Sequence, residues 1–306
     1  MLNPEEDYPA RSQVVGSSNP SRRTILSRIS FTIHLLVEKK LKQLMEGKVA
    51  LITGGGTGLG AAIARRFSNS GASIVVTGRR KGPIQAVAKE IGGLAVAGDV
   101  TDSVHLNEAV NLAVKEFGGL DIVIANAGVM SSADVASVKE GDWQQMIDVN
   151  LTGVMLTVKA ALPAMINKGG TVVNVSSVAG MMGVNGAAGY SATKAALLGL
   201  TRSMAMDYGR HRIRVNTLCP GWFLSEMSQM EMEELARKKE ISVSEAIDLV
   251  TQYLPLKRMA DPDEIAACVE FLASDNSSFV TGTVLIADGG SSIVDVGMLG
   301  FLQDLN

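Results

Sequence analysis

The sequence predicts an α/β protein, a single doubly wound domain with a mostly parallel seven-stranded sheet and helices on both faces. Short apolar runs alternate along the chain with longer stretches of helical character, which is typical of parallel strands joined by helical crossovers. The run Thr171-Val-Val-Asn-Val175 illustrates the strands, because it is short, β-branched and almost continuously apolar. Such a run is expected in a sheet that is covered on both faces.

The composition permits one large domain and excludes several classes of protein. The chain has 306 residues, 46% of them hydrophobic and 19% charged, so a sizeable core is available. A net charge of −3 gives no reason to expect nucleic acid or an anionic membrane as a partner, and no apolar run reaches the length of a membrane span. The three histidines form no cluster, so no metal site is predicted. The distant Cys219 and Cys268 fit a reducing, cytoplasmic location better than a disulfide framework.

Residues 1–46 differ from the rest and are predicted to form an N-terminal extension to a domain at 47–306. Residues 1–23 are polar and rich in proline and serine, which predicts disorder. Residues 25–45 place apolar side chains close to helical spacing, which is typical of an amphipathic helix. Three interpretations of this arm stay open: a docking helix, a targeting segment, and translation from an upstream start codon, since Met45 directly precedes the first strand.

The first half of the domain alternates four strands with helices. A glycine-rich turn follows the first strand, Asp99-Val100 follows the third, and Asn126-Ala127-Gly128 follows the fourth. The last helix of this half is rich in leucine, valine and alanine. In chain order the predicted elements are strand 49–52, helix 61–70, strand 74–77, helix 84–91, strand 94–97, helix 104–117, strand 121–125 and helix 150–167.

The second half continues the same alternation around a long insertion. Strand 171–175 ends in Ser176-Ser177 and leads through a glycine-rich loop into a helix rich in alanine and leucine from residue 187 onward. An insertion at 222–254, rich in methionine and glutamate, is predicted to form two short helices. The remaining elements are strand 213–218, helix 265–273 and strand 284–286. Neither a second domain nor a solenoid repeat is predicted.

Tyr190, Lys194 and Ser177 form a candidate catalytic set. Tyr190 and Lys194 are four residues apart and therefore project from one face of a helix. Ser177 follows a buried strand, at the end where ligands bind in an open α/β sheet. A tyrosine that acts as a base near neutral pH needs its pKa lowered by about three units, roughly 4 kcal/mol, and an ammonium within ~4–6 Å can supply much of that. These residue types suggest proton transfer to a carbonyl or from an alcohol, whereas the alternative is an exposed tyrosine and lysine with no catalytic role.

The segment Thr53-Gly-Gly-Gly-Thr-Gly-Leu-Gly60 is a candidate dinucleotide-binding turn. It follows a strand and opens a helix, the context in which such a motif is informative. Glycines let the backbone approach a pyrophosphate, which the helix N-terminus then holds. The alternative is a tight turn without a ligand.

The ordered motifs resemble those of the short-chain dehydrogenase/reductase family over about residues 48–295. The resemblance rests on T-G-x-x-x-G-x-G at Thr53–Gly60, N-A-G at Asn126–Gly128, the helix asparagine Asn150, the serine Ser177, Y-x-x-x-K at Tyr190–Lys194 and P-G at Pro220-Gly221. It implies one Rossmann-fold domain, an NAD(P)-dependent oxidoreductase that interconverts a secondary alcohol and a ketone, and a homodimer or homotetramer. The chain departs from the family at Ala125, where a second asparagine is common, and at Ser225, where a threonine is usual.

The resemblance also implies a role for each matching residue. Tyr190 is the acid and base, Ser177 orients the substrate oxygen, and Lys194 binds the nicotinamide ribose and lowers the tyrosine pKa. Asn150 supports a water-linked proton path to Lys194, although an asparagine near a helix start is often only a cap. Asp99 borders the adenine, or is only a turn residue. The implied cofactor-binding residues are Gly54, Thr57, Gly58, Leu59, Gly60, Arg79, Asp99, Val100, Asn126, Ala127, Gly128, Tyr190, Lys194, Pro220, Gly221 and Ser225.

The end of the second strand predicts NADP as the cofactor, with NAD as the alternative. Gly78 stands where NAD-preferring relatives carry an aspartate that binds the ribose hydroxyls. Arg79 and Arg80 follow, and a guanidinium can grip a 2′-phosphate with two parallel hydrogen bonds. Against this, Thr57 stands where many NADP-preferring relatives carry a basic residue.

The insertion predicts an adaptable, apolar substrate site. It supplies Trp222, Phe223, Met227, Met230 and Met232, which either contact the substrate or only pack the insertion onto the domain. We expect a secondary alcohol or ketone of moderate size without a strongly charged group.

Two alternative functions stay open from the sequence. One is a 3-oxoacyl-[acyl-carrier-protein] reductase, for which Lys168, Arg210 and Arg212 are the only hints of a basic docking face. The other is a non-catalytic dinucleotide-sensing protein on the same fold, although such a protein usually lacks part of the catalytic set.

Overall fold

The computed structural model describes residues 44–295 and Gly297, and within them seven strands form one sheet in which every neighbouring pair is parallel. The predictions for residues 1–43 lie outside the described residues. The strands are β1 (Val49–Thr53), β2 (Ser73–Gly78), β3 (Leu94–Ala97), β4 (Ile122–Ala125), β5 (Gly170–Val175), β6 (Ile213–Pro220) and β7 (Val284–Ala287). The helices are α1 (Gly58–Asn69), α2 (Lys81–Ile91), α3 (Ser103–Phe117), α4 (Glu140–Ile147), α5 (Gly153–Met165), α6 (Ala188–Tyr208), α7 (Glu226–Lys239), α8 (Val243–Thr251) and α9 (Pro262–Ala273).

The order of the strands determines where a crevice opens at the edge of the sheet. The order is β3-β2-β1-β4-β5-β6-β7, so the chain reverses its direction of winding between β1 and β4. A crevice opens at such a switch point, outside the carboxyl ends of the strands. The glycine-rich turn after β1 and the N-A-G segment after β4 therefore meet at this point.

Two hydrophobic layers cover the two faces of the sheet. In β1, Ala50 and Ile52 join one layer with side chains of α1 and α9, whereas Val49 and Leu51 join the other with side chains of α3, α5 and α6. This alternation follows from the two-residue period of a strand. Because both faces are covered, the strands can be apolar throughout, which confirms the predicted doubly wound arrangement.

The main difference from the predicted elements is the helix expected at 150–167. It begins ten residues earlier, because α4 continues through a wide turn of π-helix, Asp148–Thr152, into α5. Only Met146 of α4 is buried, so this segment lacks the apolar pattern that would have revealed it. The resulting helix, Glu140–Met165, is long and apolar enough to cross a membrane by length and composition alone. Half of its most apolar window is buried inside the fold, which is the behaviour of a core helix.

The insertion at 222–254 folds into two helices, as predicted. Both begin with reciprocal capping hydrogen bonds, at Ser225 for α7 and at Ser242 for α8. The helices pack on each other around a small cluster of their own that includes Met232 and Ala246. The pair forms a lid element whose first turn lies next to the carboxyl end of β6.

Candidate active site

A cavity of about 760 Å³ opens at the carboxyl ends of the strands. This volume is within the range of about 300–1,000 Å³ that is usual for small-molecule and cofactor sites. Every predicted site residue lines the cavity except Asn150, which lies behind its wall. The sequence motifs, although up to about 170 residues apart, therefore converge on one site.

The glycine-rich turn forms one end of the cavity and fits a dinucleotide pyrophosphate. Gly54 has a φ of +65°, and a Cβ on Gly60 would overlap the Gly54 carbonyl oxygen, so the turn needs glycine at both positions. Thr57 precedes α1 without capping its first turn by a side-chain hydrogen bond. The first amide groups of α1 and its positive dipole end are thus available to an anion.

Thr53 and Asn126 hold the N-A-G segment against this turn. The Thr53 hydroxyl accepts hydrogen bonds from the backbone amides of Asn126, at 3.0 Å, and Ala127, at 3.1 Å. The Asn126 side-chain amide donates to the Thr53 carbonyl at 3.0 Å. The single asparagine of this chain is therefore sufficient to link β4 to the turn, although Ala125 replaces a second one.

Tyr190, Ser177 and Lys194 meet at the opposite end of the cavity. The buried Lys194 ammonium donates to the Val175 carbonyl at 2.8 Å and lies 5.6 Å from the centroid of the Tyr190 ring. The Ser177 hydroxyl accepts from the Ala179 amide at 3.1 Å, which leaves its own proton for another acceptor. The end of β5 and one face of α6 thus present three polar groups to the cavity.

Burial dominates the electrostatics of this set. It raises the pKa of Tyr190 to about 12, while Ser177 lowers that pKa by a smaller amount and the charge of Glu231 raises it further. Burial also lowers the pKa of Lys194 to about 8. We expected Lys194 to lower the tyrosine pKa; the net shift is upward, and Lys194 is not among the described groups that cause it. The physical reason is that the ammonium is directed at the Val175 carbonyl and that removing the phenol from water disfavours its ionised form.

Asn150 is neither a helix cap nor part of the cavity wall. It is fully buried in the π-helical turn between α4 and α5. Its side-chain oxygen accepts from the Val129 amide at 2.8 Å, and its side-chain nitrogen donates to the Val129 carbonyl at 2.8 Å and to the Thr193 hydroxyl at 3.1 Å. A Cβ on Gly128 would lie 3.4 Å from this oxygen and 3.5 Å from the Lys194 nitrogen, so both groups converge behind that glycine.

The part of the cavity that was predicted to hold the adenosine combines two exposed arginines with two carboxylates. Asp99 accepts from the Thr101 amide and hydroxyl, which is the turn role considered above, and its second oxygen lies 4.0 Å from the Arg79 guanidinium. Arg80 donates to the Thr57 hydroxyl and to the Glu226 carboxylate, each at 3.0 Å. A guanidinium therefore stands beside Thr57, where the sequence itself lacks a basic residue. The sequence pointed to both arginines for the 2′-phosphate, but only Arg79 was among the predicted cofactor-binding residues, and both line the cavity.

The wall of the cavity between β6 and α7 contains Pro220, Gly221 and Ser225. A Cβ on Gly221 would lie 2.7 Å from the Cα of Asp288, so only glycine fits this approach. The Ser225 hydroxyl accepts from the Ser228 amide at 3.1 Å and caps α7. The hydroxyl that was expected to contact the cofactor therefore also fixes the start of the lid element.

The lid element contributes one face of α7 to the cavity. Met227, Met230 and Glu231 line it, as do Trp222 and Phe223 at the end of β6. Of the methionines considered from sequence, only Met232 packs inside the lid element instead. Sequence reasoning missed Glu231, which its spacing of four residues from Met227 could have indicated.

The chain matches a family model described as enoyl-(acyl carrier protein) reductase over residues 54–292. It is 37% identical over 252 residues to the 3-oxoacyl-[acyl-carrier-protein] reductase FabG of Thermotoga maritima, covering 80% of this chain and 98% of that protein. It is 36% identical over 253 residues to the meso-2,3-butanediol dehydrogenase of Serratia marcescens, covering 82% and 96% of the two chains. The ligand-free structure of the aldohexose dehydrogenase of Thermoplasma acidophilum matches with a TM-score of 0.77 and 32% identity over 83% of this chain and 97% of that one.

Proposed function

The chain belongs to the short-chain dehydrogenase/reductase family of oxidoreductases, which use NAD or NADP, and we propose that it interconverts a secondary alcohol and a ketone. The proposal assigns Tyr190 as the acid and base and NADP as the preferred cofactor. The observation that carries it is the meeting of Tyr190, Ser177 and Lys194 in the same cavity as the glycine-rich turn. One cavity can thus hold a dinucleotide and bring a carbonyl compound to the phenol.

The polar set supports proton transfer in both directions. A nicotinamide dinucleotide, when bound, supplies the hydride for reduction and accepts it in oxidation. During reduction, Tyr190 donates its proton to the substrate oxygen while Ser177 donates a hydrogen bond to the same oxygen. A phenol with a pKa of about 12 is protonated at neutral pH, as an acid must be. During oxidation the phenol must first ionise, and the Lys194 charge favours that form.

The remaining predicted residues are proposed to hold the cofactor. Gly54, Gly58 and Gly60 leave room for the pyrophosphate at the start of α1, and Arg79 with Arg80 faces the ribose 2′-phosphate. Lys194 binds the nicotinamide ribose, and Asn150 acts as a positioning residue behind it. The residues proposed to complete the adenine and nicotinamide pockets are Thr57, Leu59, Asp99, Val100, Asn126, Ala127, Gly128, Tyr190, Pro220, Gly221 and Ser225.

The carrier-protein alternative has less support than a free alcohol or ketone. Lys168, Arg210 and Arg212 precede β5 and β6 and therefore lie toward the amino ends of the strands, away from the cavity. A carrier protein docked there would not deliver its thioester to Tyr190. The relatives' names include an acyl-carrier reductase, a diol dehydrogenase and a sugar dehydrogenase, so they do not select one substrate. A cytoplasmic location and a homodimer or homotetramer are part of the proposal.

Screening of substrate classes tests this function. The full chain is assayed with NADP or NADPH and a matched panel of secondary alcohols, ketones and 3-oxoacyl thioesters, and turnover is followed by the absorbance of the reduced nicotinamide. We expect turnover of alcohols and ketones of moderate size, because the cavity that holds Tyr190, Ser177 and Lys194 is also lined by Met227 and Met230. Turnover confined to the thioesters would favour the carrier-protein alternative. Absence of turnover across the panel would contradict the proposed function.

A further inference from the structure

Glu231 differs from the other carboxylates of α7 in its surroundings. Glu226 pairs with Arg80, Glu233 accepts a hydrogen bond from Gln229, and Glu234 pairs with Lys238. Glu231 is partly buried and lines the cavity, and within the described part of the chain no hydrogen-bond donor or cation lies within bonding distance of its carboxylate. A carboxylate that is partly removed from water is stabilised by a hydrogen-bond donor, and a bound ligand can supply one.

Glu231 lies in the same cavity as the residues that are proposed to react with the substrate. It lies on the same face of α7 as Met227, one helical turn earlier, and both line the cavity together with Tyr190 and Ser177. Its charge acts on the Tyr190 phenol. Met230 and Trp222 give the cavity apolar surface near it, and Ser228 lines the cavity one turn earlier in α7. A carboxylate without a protein partner among the described residues therefore stands in the wall of the cavity that also holds the proposed acid and base.

The chemistry of a carboxylate limits what it can recognise. An ionised carboxylate only accepts hydrogen bonds, so the complementary group must be a donor such as a hydroxyl or an ammonium. Hydrogen bonds to a charged partner are the stronger kind, and leaving the buried acceptor unsatisfied disfavours substrates that lack a donor. A substrate carboxylate or phosphate in the same place would meet like-charge repulsion.

We propose that Glu231 is a specificity-determining residue that accepts a hydrogen bond from a second hydroxyl or an amine of the substrate. This inference rests on the proposed function and narrows its substrate class. The preferred substrates are diols, hydroxy ketones or amino alcohols that combine the donor with an apolar body. Simple alcohols of the same size are weaker substrates, and anionic ones are excluded.

Matched pairs of substrates test the proposal. Wild type, Glu231→Gln and Glu231→Leu are assayed with butane-2,3-diol against butan-2-ol, cyclohexane-1,2-diol against cyclohexanol, and 1-aminopropan-2-ol against propan-2-ol. In wild type at least one donor-bearing member should exceed its partner in kcat/KM by about ten- to a hundred-fold. Glu231→Leu should abolish that ratio. Glu231→Gln separates the two donors, because an amide oxygen still accepts from a neutral hydroxyl but does not attract an ammonium.

Glu233→Gln and Glu233→Leu serve as matched controls on the exposed side of the same helix. They should leave every ratio unchanged. All variants should keep the wild-type dissociation constant for the dinucleotide, and none should unfold at a lower denaturant concentration than wild type. Equal ratios in wild type and Glu231→Leu, with turnover that still depends on Tyr190, would overturn the role of Glu231 and leave the proposed function standing. Absence of turnover with any alcohol or ketone would overturn both.

Discussion

Tyr190 is half-buried in the cavity wall, and the protonation of its phenol sets which proton transfer it can make at a given pH. Its pKa of about 12 keeps the proton in place at neutral pH, whereas the pKa of Lys194, about 8, leaves most of the ammonium charged there. The residue is therefore ready to donate a proton to a developing alkoxide. Taking a proton from an alcohol requires the phenol to ionise first, and Lys194 is the cation available to favour that step.

The free energy of unfolding tests the burial of this phenol through its pH dependence. The folded pKa of about 12 lies above the ordinary value of 10.0, so the folded protein keeps a proton that the unfolded chain has lost. The stability of wild type relative to Tyr190→Phe should be constant below pH 10 and should fall as the pH rises toward 12, by up to about 1.4 kcal/mol per pH unit. Chemical denaturation of both proteins across this range measures the difference. A flat difference would place the phenol in water, and a rising difference would show that folding lowers its pKa.

Local spacing predicted that the three candidate catalytic residues lie together, but it did not predict contacts between residues far apart in the chain. Tyr190 and Lys194 share a helix, and Ser177 ends a strand, so their meeting follows from short-range geometry. The contact of Arg80 with Glu226 joins residues 146 positions apart, and no local pattern contains it. The position of Glu231 in the cavity wall likewise depends on the packing of the lid element. The upward shift of the Tyr190 pKa depends on burial, so no local pattern predicts either feature.

At the scale of elements, the turn from β2 into α2 is the part of the molecule that we propose contacts the cofactor's ribose. Gly78 leaves space there, and Arg79 and Arg80 carry positive charge to the cavity rim. Arg80 also connects the turn to the lid element through Glu226. Both arginines are more than half exposed, so their ion pairs contribute little to stability and remain free to exchange for a phosphate.

Cofactor preference tests this turn. Wild type should favour NADP over NAD in kcat/KM, and Arg79→Ala and Arg80→Ala should each reduce the ratio by about ten- to a hundred-fold, the worth of a charged hydrogen bond. Gly78→Asp should reverse the preference, because its carboxylate accepts from the ribose hydroxyls and repels a 2′-phosphate. Its Cβ would lie 3.2 Å from the Ile84 side chain, so a small shift of that methyl suffices.

Two measurements decide the outcome. One is the ratio of kcat/KM with NADP to kcat/KM with NAD, and the other is the ratio of the directly measured dissociation constants of the two dinucleotides. Lys89→Ala, at the exposed far end of α2, removes a charge of the same sign and should change neither ratio. A wild type that already prefers NAD would contradict the assignment of NADP. Arginine variants with the wild-type ratio would show that these side chains do not contact the phosphate.

The sequence predicted most elements because their signals are local. Each strand among the described residues begins and ends within two residues of its predicted bounds, since each is an apolar run between turns. The helix α4 was missed because it buries a single methionine, so its amphipathic pattern is too weak to detect. Its continuation through a π-helical turn, which places Asn150 in the interior, depends on packing that no local pattern specifies.

At the scale of the molecule, the parallel order of the strands brings the separate motifs together. Each motif follows a strand, so all of them emerge at the carboxyl edge of the sheet, and the switch point between β1 and β4 opens the crevice that receives a ligand. The sequence predicted the parallel sheet but not which strands are neighbours, because strand order is a long-range property. The central claim for the whole molecule is that this edge carries out alcohol–ketone interconversion with Tyr190 as the proton donor and acceptor.

The substitution Tyr190→Phe, compared with wild type for kcat and for the dissociation constant of NADPH, tests this claim most directly. The phenylalanine ring keeps the packing and loses only the hydroxyl, and general acid–base groups contribute about 10²–10⁴ in rate. Tyr208→Phe on the same helix, outside the cavity wall, is the matched control. We expect Tyr190→Phe to bind NADPH nearly as wild type does and to lose at least a hundred-fold in kcat, whereas Tyr208→Phe should change neither. A Tyr190→Phe variant that turns over ketones at close to the wild-type rate would contradict it.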